Sequence, residues 1–157
     1  MLKVIFLTVL LAACSVNAQQ SFWSICTDLP NALAPRQIIS PACPPGADRC
    51  TATRGEALEA DVYFTPVRAH NYMHVTVTAF ILGIGIDLAP DDDNACNDLF
   101  RNGVQVSCPT VPNVEHVWSI RIFVSRLYPA FNNARVRFLL SENNVPEGCA
   151  DVRATLI

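Results

Sequence analysis

Seven cysteines fall within 157 residues, at positions 14, 26, 43, 50, 96, 108 and 149, and they constrain this chain more than any other feature. Cys14 stands apart from the rest, inside an N-terminal segment with the three parts of a secretory signal peptide. Met1-Leu2-Lys3 is a short basic start. Val4 to Ala13 is an apolar run of ten residues, and Val16-Asn17-Ala18 places small residues at −3 and −1 of a cut after Ala18. That run is short for a hydrocarbon core of about 30 Å, and Gln19-Gln20 follow it without a basic flank. The expected organisation is a signal peptide over 1–18 and one domain over 19–157. The expected address is secreted and extracellular.

Loss of residues 1–18 leaves six cysteines. An even count in a small exported domain reads as a disulfide framework, but spacing alone does not choose among the many pairings. A zinc site would want close pairs of the CxxC kind. Here the shortest gap, Cys43 to Cys50, encloses six residues, so no metal is expected. The same cut removes Lys3, the only lysine, and leaves ten arginines against fourteen acids, a net charge of −4. A nucleic-acid binder should carry a basic face, so that class is set aside. Schiff-base chemistry on lysine is excluded over 19–157.

Alternation dominates the chain. Leu58, Ala60, Val62 and Phe64 alternate with Glu59, Asp61, Tyr63 and Thr65, and Pro66 closes the run. Met73, Val75, Val77, Ala79 and Ile81 alternate with His74, Thr76, Thr78 and Phe80, and Val136, Phe138 and Leu140 alternate with Arg135, Arg137 and Leu139. Period two marks half-buried strands. Ala79 to Leu88 and Trp118 to Val124 are more apolar than a half-buried strand requires. The turns are rich in Pro, Asn, Asp and Gly, as at Pro44-Pro45-Gly46, Asp91-Asp92-Asp93-Asn94 and Asn143-Asn144. About seven strands with regular turn signals predict an all-β, antiparallel two-sheet sandwich.

No catalytic constellation emerges. His70 and His74 have the i,i+4 spacing that serves a metal on a helix, but alternation puts His74 on a strand. Both read as surface or loop histidines, and His116 has no partner motif. No serine lies in a GxSxG context. Asp91-Asp92-Asp93 lacks the spacing and distal Glu of an EF-hand and reads as a solvated acidic turn. The expectation is a non-enzyme without a cofactor.

The ordered set of motifs resembles the ML lipid-recognition family, near the Niemann-Pick type C2 proteins and the mite group 2 allergens. Ile38-Ile39-Ser40-Pro41-Ala42-Cys43, Arg54-Gly55 after Cys50, Phe64-Thr65-Pro66, Asp93-Asn94-Ala95-Cys96, Cys108-Pro109 and Tyr128-Pro129 follow in order, with Cys149 near the end. The resemblance implies an immunoglobulin-like β-sandwich with a lipid cavity between its sheets, and the bridges Cys26–Cys149, Cys43–Cys50 and Cys96–Cys108. It implies a carrier of a sterol, fatty acid or similar hydrophobic ligand. Ile84, Ile86, Leu88, Ile120, Ile122 and Val124 would line the cavity, with Tyr128 and Pro129 at its mouth. It further implies a monomer that makes transient membrane or receptor contact for transfer. The alternative is an innate-immune protein that binds microbial lipid with a receptor and uses Arg121 and Arg126 as a basic rim. Leu88 stands where vertebrate sterol carriers have a phenylalanine, and Ala150 where a tryptophan often follows the last cysteine. Those two departures bear on sterol specificity.

Overall fold

The structure is a computed structural model that describes residues 22–157. The signal-peptide reading of 1–18 therefore lies outside the described residues. Eleven strands form two sheets, and among the described residues there is no helix. One sheet runs β1 (Trp23–Ile25), β11 (Val145–Leu156), β10 (Phe131–Glu142), β5 (His74–Ile81) and β6 (Ile84–Leu88). The short β3 (Cys50–Ala52) pairs with β11 in parallel; the other pairings are antiparallel. The second sheet runs β2 (Pro35–Ile39), β4 (Ala57–Phe64), β9 (His116–Phe123), β7 (Leu99–Arg101) and β8 (Val104–Val106), all antiparallel.

The alternation in β4, β5, β9 and β10 points one parity inward. Val75, Val77 and Ala79 face Val62, Phe64, Trp118 and Ile122 across the sandwich, and all of them are buried in one apolar core. Outward positions on the first sheet are mostly polar, with Phe80 under the Arg135 guanidinium. There Arg137 on β10 holds Asp151 on β11 at 2.8 Å and Asp28 in the β1–β2 loop at 3.0 Å, which ties that loop to the sheet.

The apolar stretch Ala79–Leu88 is not one strand. Leu82 (φ 51°) and Gly83 (φ 83°) form a tight turn that folds it into the β5–β6 hairpin. Positive φ at both central residues matches the twist of a two-residue hairpin. The expected count of about seven strands is exceeded because β1, β3, β7 and β8 have three residues each.

Three disulfides hold the edges: Cys26–Cys149 joins β1 to β11, Cys43–Cys50 closes the approach to β3, and Cys96–Cys108 ties the loops on either side of β7 and β8. The Cys26–Cys149 bridge spans 123 positions. In the chain-entropy model a loop of that length contributes about 5 kcal/mol by restricting the unfolded chain.

Candidate functional site

The two sheets do not close on each other along their whole length. Between them runs an apolar cavity of about 90 Å³, counted as space open to the centre of a water molecule. An empty apolar cavity of that size costs about 2 kcal/mol, less than the long disulfide contributes. Its wall includes Ile38, Leu58, Val62, Ala79, Trp118, Val136, Phe138 and Leu140, with Gly148, Ala150, Val152 and Ala154 from the inward parity of β11. The sandwich is sealed at one end and open at the other. Leu33, Phe64, Met73 and Leu99 are fully buried near the sealed end. At the opposite end Leu58, Ile81, Ile86, Tyr128 and Phe131 are only half-buried, and Phe123 is exposed, although all six line the cavity.

Five of the eight residues singled out from the sequence line this cavity: Ile86, Leu88, Ile122, Val124 and Tyr128. Three do not. Ile84 shares the inward parity of Ile86 and Leu88, but it pairs with Ile81 at the hairpin tip, beyond the mouth, and is 69% exposed. Ile120 points inward on β9 and is buried in the packed core without reaching the cavity. Pro129 is exposed beside the rim. Trp118, Phe131, Phe138 and the small residues of β11 complete the wall and were not singled out. The signal for Trp118 and Phe138 was present, since both sit on the inward parity of a recognisable strand.

The sealed end is capped by polar groups, not by apolar packing alone. His70 is fully buried, which corrects its reading as a surface or loop histidine. It lies in the β4–β5 loop as expected, but its Nδ1–H donates to Glu142 Oε2 at 3.2 Å. The backbone N–H of Asn71 donates to the other oxygen of Glu142 at 2.8 Å. Arg68 bridges Glu142 at 3.1 Å and also pairs with Glu147. Burial works to raise the Glu142 pKa, but the amides of Asn71 and Tyr72 and the His70 ring outweigh it and hold the carboxyl below its ordinary range. His116 is buried too; its Nδ1 bonds the Val114 carbonyl at 2.8 Å. His74 is partly exposed and lies 3.6 Å from Asp93.

The acidic turn is tied up internally. Asp92 accepts from the Asn97 side-chain amide at 2.8 Å and from the Asn94 N–H at 2.7 Å, which lowers its pKa. Asp91 pairs with Arg121 at 2.9 Å. Among the described residues, the only cluster of three metal-ligating side chains within reach of one another is Cys26, Cys149 and Asp151. Both of its sulfurs are taken by a disulfide.

Around the mouth the side chains come from the β3–β4 and β9–β10 loops. Gly55 has φ +86°, and a Cβ there would collide with Arg126 Nε and Cγ, so the Arg126 stem lies directly across the glycine. Arg54 Nη1 donates to the Tyr128 carbonyl at 3.3 Å.

The sequence matches the family model of the ML domain over residues 20–156. The chain belongs to the ML domain family. It is similar to mite group 2 allergen Eur m 2 of Euroglyphus maynei, at 27% identity over 115 residues, which covers 73% of this chain and 74% of that protein. It also resembles the crystal structure of a Niemann-Pick type C2 protein from the Japanese carpenter ant, with a TM-score of 0.71 at 18% identity. That match covers 86% of this chain and 98% of the ant chain, and at this identity it shows the fold. In this ML domain both departures from the family pattern, Leu88 and Ala150, fall on the cavity wall itself.

Proposed function

We propose that this ML domain is a secreted carrier that holds one hydrophobic ligand between its sheets and releases it without chemical change. The ligand class is a sterol, a fatty acid or a similar lipid. One observation carries the reading: the apolar cavity between the sheets. Burial of about 25 cal/mol per Å² of apolar surface would hold such a ligand with no directional contacts along most of its length. Ile86, Leu88, Ile122 and Val124 would touch it, with Tyr128 at the entrance. Leu88 and Ala150 give the wall smaller side chains than the phenylalanine of the vertebrate sterol carriers and the tryptophan that often follows the last cysteine, so the wall is not that of a vertebrate sterol carrier. Transfer would be a binding equilibrium, in keeping with a wall that is apolar apart from Ser40, Tyr128 and Thr155.

Native mass spectrometry of the protein recovered from culture medium, followed by lipid extraction, tests the reading. A co-purifying lipid in one-to-one ratio is the expected result. A protein that emerges empty and takes up neither sterol nor fatty acid would overturn it.

A further inference from the structure

We propose that Arg126, seated on Gly55 at the rim, receives the carboxylate of a single-chain lipid whose hydrocarbon tail runs into the cavity. The proposal rests on the carrier reading and adds the polarity of the ligand and the way it lies.

Three observations meet here. First, the cavity is thin. About 90 Å³ is open to water centres, against roughly 300–1,000 Å³ for an ordinary pocket for drug-sized ligands. A flexible chain can follow such a slot, whereas a rigid fused-ring ligand would have to part the sheets. Second, the other hydroxyls of the wall are already committed. Ser40 donates to the Glu59 carbonyl and Thr155 to the Asn132 carbonyl. At the open end the Tyr128 hydroxyl makes no hydrogen bond to a described residue, so it remains available to a head group.

Third, positive charge without an acidic partner collects at the mouth. Arg49, Arg68, Arg121, Arg135 and Arg137 are all in ion pairs. Among the described residues Arg36, Arg54, Arg101 and Arg126 are in none, and two of these, Arg54 and Arg126, flank the entrance. They do so in a chain with more acids than arginines. Glu56 shares the β3–β4 loop with Arg54 and makes no ion pair either, so the two rim loops keep a net positive charge. Arg126 is exposed, so the head-group charge would stay wet while only the tail leaves water. A guanidinium is suited to this task because its planar fork matches a carboxylate with two parallel hydrogen bonds. Gly55 makes the arrangement specific: its missing side chain is the seat on which the Arg126 stem rests.

The test is displacement of bound N-phenylnaphthylamine from the delipidated full domain at neutral pH, by palmitic acid and by hexadecanol. The two share chain length and differ in charge. The wild type should bind the acid about two- to fivefold more tightly than the alcohol, the range for an exposed charge pair. Arg126→Gln should abolish that preference and leave the affinity for the alcohol unchanged. Added salt should erode the preference in the wild type alone. Equal affinities for acid and alcohol in the wild type would overturn the head-group site and leave the carrier intact. So would an equal loss of both in Arg126→Gln. Failure of the wild type to bind either lipid, or cholesterol, would remove the carrier reading and this site with it.

Discussion

His70 and Glu142, 72 positions apart in sequence, meet at 3.2 Å in the sealed end of the sandwich, both buried. Their contact joins the β4–β5 loop to the end of β10, and the hydrogen bond from Asn71 to the same carboxylate doubles that link. The pair makes stability depend on acid. Glu142 has a pKa held below its ordinary value, so the stability it contributes is fully present above the unfolded-state pKa of about 4.3. It is lost as pH falls through the lower, folded-state value. Chemical denaturation midpoints measured between neutral pH and pH 3 should therefore decline below about pH 4.5. Glu142→Gln should flatten that acid limb and cost about 1.5–3 kcal/mol at neutral pH, the range for hydrogen bonds to a charged group.

Leu88→Trp and Val124→Trp should block uptake of a fluorescent lipid while the protein still folds. Both residues line the cavity, Val124 where the β9–β10 loop begins at the open end and Leu88 four pairings in from the tip of the β5–β6 hairpin. An oversized ring in a packed core would cost about 1–3 kcal/mol; one that enters free space should cost less in thermal melts. Ile84→Trp is the matched control, since Ile84 lies outside the cavity, and it should leave uptake unchanged. Blockade by the control would mean that the mouth extends to the hairpin tip.

Gly55→Ala should lose stability by about 1 kcal/mol or more, because an L side chain at φ +86° is strained. It should also push Arg126 off its seat and weaken fatty-acid binding relative to hexadecanol. The combination separates backbone strain from displacement. Gly83 has a similar φ of +83° but open space around it. Gly83→Ala should cost stability alone.

No asparagine of this sequence is followed by the N-x-S/T pattern, so no N-linked glycan is available to carry a phosphomannose address. In cultured cells the protein should accumulate in the medium and keep its electrophoretic mobility after N-glycosidase treatment. Retention in lysosomes alongside a lysosomal marker would refute this.

Much of the framework was legible in the sequence. β4, β5 and β10 alternate cleanly because each has one apolar face and one polar face. β11 was missed for a physical reason: its inward residues include Gly148, Ala150 and Ala154, too small to write a strong hydrophobic rhythm. The β5–β6 turn was hidden because the residues on either side of it, Ala79–Ile81 and Ile84–Ile86, carry no polar side chain, and Leu82, though 96% exposed, extends the run. Period two identified the face of Ile84 but not how far along its strand the sandwich ends. The burial of His70 depended on Glu142, a contact that local pattern does not encode.

The exposed Phe123 and the half-buried Leu58, Ile81, Ile86, Tyr128 and Phe131 gather at one end of the cavity, and the cluster around His70, Arg68 and Glu142 lies towards the opposite end of the sandwich, so a single doorway is expected. A second molecule therefore cannot push the first out from behind. The occupant must depart before a successor enters, and traffic through the protein becomes a queue of one. In a stopped-flow chase, the off-rate of a loaded probe should stay flat as competitor concentration rises. A rate that climbs with competitor would reveal a back door between the sheets.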